Sequence, residues 1–187
     1  MSDLVALVGA ITPPGRLNRA TAISVDQAKS SGLSAELISL GDRKIGNADG
    51  RPPAEHGDDT AATVQAIHGA SAVIFGSPVY RGSFPGVLKN FLDHVPLQAL
   101  QGKPVGLVVV GATYHHYLGV DRHLRDVLAW YGALVAPTSV YLVSADFTEG
   151  APTPAAVAEV EALTDTVLKL RDVAGAALGP TPLAGRK

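Results

Sequence analysis

The fold of this chain is decided by residues 72–96, AVIFGSPVYRGSFPGVLKNFLDHVP. Their first four residues form an apolar run typical of a buried strand, and a loop rich in Gly, Pro and Ser follows. Ser83 can cap a helix and Pro85 suits a first helical turn, so we predict a helix over residues 83–94. This order places the loop at the carboxyl end of a strand, where open α/β sheets bind ligands.

The same alternation of strands and helices continues along the chain. Apolar or alternating runs predict four further strands, at residues 4–8, 35–40, 104–110 and 138–143. Amphipathic patterns predict four further helices, at residues 17–31, 60–67, 116–131 and 154–173. Five strands alternating with five helices indicate an α/β fold with a doubly wound parallel sheet, although periodicity alone does not settle the strand order.

Length and charge restrict the classes of protein. A chain of 187 residues suits one domain, which we expect to span residues 1–174, with the Gly- and Pro-rich residues 175–187 as a flexible tail. A formal net charge of −2 gives no electrostatic reason to expect nucleic acid or an anionic membrane as partner. Apolar runs are too short to span a bilayer and no leader segment is visible, which predicts a cytoplasmic protein.

The loop between the first strand and the first helix, residues 9–18, has the composition of a phosphate site. A helix N-terminus offers free N–H groups and a partial positive charge. Arg16 adds a bidentate donor, and Asn18 can either cap the helix or bond a phosphate oxygen. The loop lacks the Gly-Lys-Ser/Thr ending of a Walker A loop and the GxGxxG fingerprint of a Rossmann dinucleotide site.

The loops after the third and fourth strands suit a flat heteroaromatic ring. The third is rich in small residues, so it presents backbone N–H and C=O groups with little obstruction. Tyr80 could equally anchor a subunit interface, and Arg81 could face the ring edge, the phosphates of a nicotinamide nucleotide or only solvent. In the fourth loop, Gly111 and Ala112 would let a ring approach the backbone, and Thr113 can offer a hydroxyl group.

The sequence gives little reason to expect a metal site or a protein nucleophile. His115 and His116 are adjacent at a helix start, so their side chains diverge by about 100° and cannot chelate one ion alone. The chain has no cysteine, which excludes disulfides, thiolate zinc sites and cysteine nucleophiles. Ser77 and Ser83 lack the GxSxG elbow of α/β-hydrolases.

The stretch SPVYRGSFPGVLKNFLDHVP, together with Gly111, Ala112 and Thr113, resembles the flavin-contacting motif of the NAD(P)H-dependent FMN reductases. It is most similar to the reductases that supply reduced FMN to sulfonate-type monooxygenases. The resemblance implies a flavodoxin-like three-layer sandwich whose five-stranded parallel sheet has the order 2-1-3-4-5. The loop after the first strand departs from the family's Ser-x-Arg-x-x-Ser pattern, with Asn18 where serine is common.

The resemblance also implies an activity and its partners. NADH or NADPH would stack on bound FMN and pass a hydride to it, and no acid–base side chain is obligatory, so we assign no catalytic residue. A flavin-dependent monooxygenase would receive the reduced FMN, and the subunit would form a homodimer or homotetramer through the helices that follow the third and fourth strands. The expected cofactor-binding residues are Thr12, Arg16, Asn18, Pro78, Val79, Tyr80, Arg81, Gly82, Ser83, Gly111, Ala112 and Thr113.

Two alternatives remain open at this point. One is an enzyme of the same fold that retains FMN and reduces quinones, azo dyes or metal oxyanions. The other is a flavodoxin-like electron carrier without enzymatic activity, although a net charge of −2 is less acidic than such carriers usually are. In the family, an inserted residue, commonly a tyrosine, makes a π-bulge in the helix after the fourth strand, and alignment puts Arg122 at that place. This leaves open whether the helix has a bulge at Arg122 or continues as an unbroken α-helix with an exposed arginine.

Overall fold

A parallel sheet forms the middle layer of the computed structural model, which describes residues 2–174 and 182–185. Its segments are β1 (Leu4–Val8), β2 (Ala35–Ser39), β3 (Ala72–Pro78), β4 (Pro104–Val110), β5 (Leu134–Val135) and β6 (Val140–Leu142). Their order is β2-β1-β3-β4-β5, and β6 also pairs directly with β4, nearer to the carboxyl end of β4 than β5 does. The predicted order 2-1-3-4-5 is therefore confirmed.

Two short segments replace the single fifth strand that we predicted over residues 138–143. Both β5 and β6 pair with β4, and they are separated by residues 136–139. Pro137 lies in this gap and has no N–H group with which to continue the ladder. A small antiparallel hairpin, which the sequence did not predict, follows as β7 (Phe147–Thr148) and β8 (Ala151–Pro152).

Helices cover both faces of the sheet, which completes the predicted three-layer sandwich. They are α1 (Arg16–Ser30), α2 (Thr60–Gly69), α3 (Gly86–His94), α4 (Leu97–Leu100), α5 (Tyr117–Tyr131) and α6 (Pro154–Val173). Strand residues alternate between the two layers. Leu7 packs in one core with residues of α2, α3 and α5, whereas Ala6 packs in the other with residues of α1 and α6.

The segment that decides the fold differs in detail from our prediction. β3 extends through Pro78, because Ser77 and Pro78 pair with β4. The helix begins at Gly86 rather than at Ser83, and Pro85 is its N-cap in an extended conformation. Ser83 instead closes a turn with Tyr80, so it is unavailable as the cap that we predicted.

The helix after β4 is α-helical throughout. A 3-10 turn over Tyr114–His116 precedes α5. Gly132 ends α5 with a φ of 68°, which is the left-handed cap that the sequence predicted. Of the two alternatives left open at Arg122, the structure has the unbroken α-helix and not the π-bulge, since the α-helical pattern continues without interruption from Tyr117 to Tyr131. The regular helix accommodates Arg122 as an exposed side chain.

Most of the predicted tail, residues 175–187, lies outside the described residues. Of the part that is described, Pro182 lies against Gly132 at the end of α5. Across residues 2–174 and 182–185, none of the helices has both the length and the apolar character needed to cross a membrane.

Tyr131 is expected to make the stability of the folded protein depend on pH in the alkaline range. Its side chain is buried, its hydroxyl donates to the Leu92 carbonyl at 2.5 Å, and burial followed by the charge of Asp93 raises its pKa to about 12. The folded state thus favours the neutral phenol, whose ordinary pKa is 10.0. This contribution to stability is complete below pH 10.0 and is lost as the pH rises towards 12. We expect the melting temperature of the wild type to fall more steeply than that of Tyr131→Phe between these limits. Equal slopes in thermal melts across this range would contradict the assignment.

Candidate functional site

Three loops meet at the carboxyl edge of the sheet because β1, β3 and β4 are neighbours. Gly9 at the end of β1 donates its N–H to the Gly76 carbonyl at 2.8 Å. Val79 at the end of β3 donates its N–H to the Val110 carbonyl at 3.1 Å. The first loop (residues 9–15), the third loop (residues 79–85) and the fourth loop (residues 111–116) therefore lie side by side.

The first loop brings the positive end of α1 to this edge. The N–H groups of Arg16, Leu17 and Asn18 open the helix and have no intrahelical acceptor. The side-chain oxygen of Asn18 accepts the Gly15 N–H at 3.3 Å, so this residue performs the capping role that we left open. No acidic residue occupies the first turn, and Thr12 lies exposed on the loop before it. The local charge therefore favours an anion.

Arg16 is fixed by a part of the chain that our sequence analysis did not consider. One guanidinium nitrogen, Nη1, donates to Ser144 Oγ at 3.0 Å. The guanidinium also lies over the Phe147 ring, with Cζ 5.4 Å from the ring centroid. The segment after β6 therefore joins the site beside the first loop.

The third loop is a tight two-residue turn. Tyr80 and Ser83 exchange backbone hydrogen bonds of 2.8 and 3.0 Å, and the residues between them, Arg81 and Gly82, have φ values of 53° and 75°. Two successive positive φ values define a type I′ turn, in which a side chain at the first position is strained by about 1–2 kcal/mol. Tyr80 is 50% exposed and Arg81 is also exposed, so the turn presents both side chains to solvent.

α5 packs against this turn at Gly119, whose backbone lies close to the Gly82 carbonyl. A Cβ atom at Gly119 would overlap the carbonyl oxygen of Gly82, so only glycine permits this approach. One helical turn later, the His123 ring Nδ1 lies 3.0 Å from Ser83 Oγ. Sequence reasoning missed both residues, although a lone glycine inside a predicted helix is a signal of close packing.

Tyr141 on β6 holds the fourth loop. Its hydroxyl donates to the Thr113 carbonyl at 2.9 Å, and a Cβ atom at Gly111 would overlap that hydroxyl. Burial raises the pKa of Tyr141 above its ordinary value of 10.0. Thr113 Oγ1 also lies 3.2 Å from His115 Nδ1. The small residues at 111 and 112 therefore leave the backbone open on the outer side while Tyr141 supports it from the inner side.

Metal-binding groups do not gather at this edge. Within residues 2–174 and 182–185, the His, Asp and Glu side chains form no group of three or more that could hold an ion. Beside the fourth loop, the Tyr114 hydroxyl donates to Asp146 Oδ2 at 3.5 Å. The charge of Asp146 raises the pKa of this exposed phenol.

The sheet order and these three loops define the class of the protein. A flavodoxin-like sheet carries the N-terminus of α1 at its carboxyl edge, next to two loops that are rich in small residues. The chain belongs to the NADPH-dependent FMN reductase family, whose sequence model matches residues 2–148. This membership confirms the family that the motif resemblance implied, together with its pairing of FMN and a reduced nicotinamide nucleotide.

Individual relatives agree with this membership. An NADH-dependent FMN reductase, SfnF, from Pseudomonas fluorescens is 37% identical over 151 residues, which cover 78% of this chain and 79% of that protein. An NAD(P)H-dependent FAD/FMN reductase from Geobacillus thermodenitrificans is 35% identical over 117 residues, 63% of each chain and so less than two thirds of that relative. Among solved structures, the apo form of the NADH:FMN oxidoreductase EmoB aligns with a TM-score of 0.78 at 22% identity, covering 90% of this chain and 89% of that one, a likeness of fold.

Proposed function

We propose that this protein binds FMN across the three loops and reduces it with NADH or NADPH. The observation that carries the proposal is the opening of α1, where three free N–H groups and the Arg16 guanidinium lie beside two loops with exposed backbone. The residues that would hold the flavin are those expected from the sequence. They are Thr12, Arg16 and Asn18 for the phosphate and Pro78, Val79, Tyr80, Arg81, Gly82, Ser83, Gly111, Ala112 and Thr113 for the ring.

Each loop would have a separate task. Arg16 and the N–H groups of α1 neutralise and bond the phosphate, a contact that fixes the nucleotide without touching its ring. The third and fourth loops orient the ring through backbone groups that their turns hold still. When bound, FMN supplies the capacity to accept a hydride from reduced nicotinamide. The protein contributes placement rather than an acid or a base, since the cofactors carry the chemistry.

We further propose that reduced FMN leaves for a flavin-dependent monooxygenase. The support is the similarity of residues 77–96 to reductases of sulfonate-type systems and the alignment with SfnF across most of both chains. Weak retention of oxidised FMN would suit a protein that treats flavin as a substrate. Of the two arginines among the twelve binding residues, only Arg16 is assigned to the phosphate, which agrees with modest affinity.

One assay tests this function directly. Protein purified without added flavin is supplied with NADH or NADPH and with FMN, FAD or riboflavin, and nicotinamide oxidation is followed at each combination. We expect oxidation that depends on FMN. Flavin that stays bound through gel filtration, with ping-pong kinetics towards a quinone, would favour the FMN-retaining reductase. An absence of nicotinamide oxidation with every flavin would favour the electron carrier.

We also propose that the subunit associates with a second copy through α3 and α5. A groove of about 440 Å³ lies between these helices, away from the loops, and Val95, Val127 and Trp130 line it. Trp130 is 58% exposed, an unusual state for the only tryptophan of the chain. Lys89 and Asp93, paired at 2.6 Å, lie on the rim, where polar residues usually surround an apolar interface.

The association predicts a measurable oligomer. We expect light scattering at micromolar concentration to give a dimer or tetramer, and Trp130→Glu to shift the mass towards the monomer, because a buried unpaired charge opposes the interface. Val173→Glu, at a 56% exposed apolar residue on α6, is the matched control and should leave the mass unchanged. A monomeric wild type would contradict the proposal.

A further inference from the structure

The segment after β6, residues 144–152, contacts α1 through two arginines. Arg16 Nη1 donates to Ser144 Oγ at 3.0 Å, and its guanidinium lies over Phe147 with Cζ 5.4 Å from the ring centroid. Arg19, three residues further along α1, donates Nη1–H to the Glu149 carbonyl at 3.4 Å. Ser144 at the start of this segment and Glu149 in its turn therefore contact the first residues of α1, the helix terminus at which an anion would bind.

The 144–152 segment has an internal framework of its own. Asp146 Oδ2 accepts the Val143 N–H at 2.7 Å, and the Asp146 carbonyl accepts the Thr153 N–H at 2.8 Å. Glu149 and Gly150, with φ values of 50° and 78°, form the two-residue turn between β7 and β8. Phe147 is buried and belongs to the core that residues of α1 and α6 form on one face of the sheet, so contacts other than the one with Arg16 also hold its ring. The ring that meets Arg16 is consequently held by the core of the protein.

An arginine held in this way differs from a free surface arginine. A free side chain loses rotamer entropy when it binds an anion, whereas one already stacked and bonded has lost most of it on folding. Stacking uses the face of the guanidinium and leaves its in-plane N–H donors able to bond. Ser144 takes one of about five such donors. It is the one protein hydrogen-bond acceptor for this guanidinium within residues 2–174 and 182–185.

We infer that the 144–152 segment is a positioning element for the phosphate of FMN, with Phe147 and Ser144 as the positioning residues that hold Arg16 at the N-terminus of α1. The inference rests on the proposed function, because it takes the α1 terminus as the phosphate site. Phe147 and Ser144 act through Arg16 and need no contact with the flavin. Their effect is therefore confined to ligands that carry a phosphate.

The test compares FMN with riboflavin, which lacks the phosphate. Dissociation constants are measured by flavin fluorescence for Phe147→Leu and Ser144→Ala, with thermal melts to verify folding. Phe147→Leu removes the aromatic face and keeps apolar bulk, and we expect it to weaken FMN by about twofold to fivefold, the range for an exposed cation–π contact. Ser144→Ala should weaken FMN in the same direction, and riboflavin should bind both variants as it binds the wild type. Thr148→Ala, at an exposed neighbour on β7, is the matched control.

A double-mutant cycle makes the dependence on Arg16 explicit. In the Arg16→Ala background, Phe147→Leu should cause no further loss of FMN affinity. Equal losses for FMN and riboflavin, or losses that simply add in the double mutant, would overturn the inference. If the wild type reduces FMN while both positioning variants bind it normally, the inference fails and the proposed function stands. A wild type that binds and reduces no flavin would reject both.

Discussion

Gly119→Ala is expected to lower kcat/KM for FMN reduction by about a hundredfold, the scale of loss from a displacement near 1 Å in a catalytic site. The added Cβ would overlap the Gly82 carbonyl oxygen and lie 3.1 Å from the Gly82 carbonyl carbon. Because both atoms belong to backbone, no side-chain rotation relieves the overlap. The third loop must move away from α5, and the ring-binding backbone moves with it.

The loss of activity would not be a consequence of unfolding. Alanine is favoured over glycine in helices by up to about 1 kcal/mol, which offsets part of the cost of moving the loop. We therefore expect the melting temperature to change little while activity falls. Gly86→Ala is the matched control, since a Cβ atom at Gly86 would meet no heavy atom within 4 Å and α3 begins there. Wild-type kcat/KM and FMN affinity in Gly119→Ala would remove the third loop from the site.

Local sequence patterns were sufficient to predict most of the helices and strands of the fold. α6 begins at Pro154 and ends at Val173 as predicted, since Thr153 caps it by accepting the Ala156 N–H at 3.3 Å and proline suits the position that follows. The strand and helix periods likewise located β1 and β4 to the residue. These signals depend on neighbours in the chain, so they are readable without a structure.

Turn geometry was harder to predict than helices and strands. Ser83 has the side chain of a helix cap, but its backbone N–H and carbonyl are both used by Tyr80. The type I′ turn that causes this places Arg81 where Asn or Gly is usual, so the sequence gives no indication of it. The same difficulty affected the fifth strand, where Pro137 divides the edge between β5 and β6.

The parts of the candidate site that sequence analysis missed are contacts across long chain separations. Arg16 and Ser144 are 128 residues apart, and Tyr141 and Thr113 are 28 apart. Neither pair belongs to a motif, and no periodicity links them. What the sequence did indicate was the chemistry of each loop, because that chemistry depends on composition. The contacts that hold each loop became visible only from the packing of α5, β6 and residues 144–152 against them.

Arg16→Ala is expected to raise the dissociation constant of FMN by about tenfold to a hundredfold, the loss for one charge-assisted contact with a phosphate. The guanidinium lies beside the N-terminus of α1, where helix N–H groups and Arg16 would share the same anion. Riboflavin has no phosphate, so its affinity should barely change. Both constants are measured by flavin fluorescence at fixed ionic strength, because contacts between charges weaken with salt.

Two companion variants separate charge from geometry in this prediction. Arg16→Lys keeps the positive charge but loses the planar fork that stacks on Phe147 and bonds Ser144, so its FMN affinity should fall between the wild type and Arg16→Ala. Arg51→Ala removes the same charge from an exposed pair with Asp49, and it should leave FMN binding unchanged. Equal losses for FMN and riboflavin in Arg16→Ala would show that Arg16 supports the fold of the first loop rather than the phosphate. In that case the anion site at α1 would rest on the helix N–H groups alone, and inorganic phosphate should then compete with FMN equally well in the wild type and the variant.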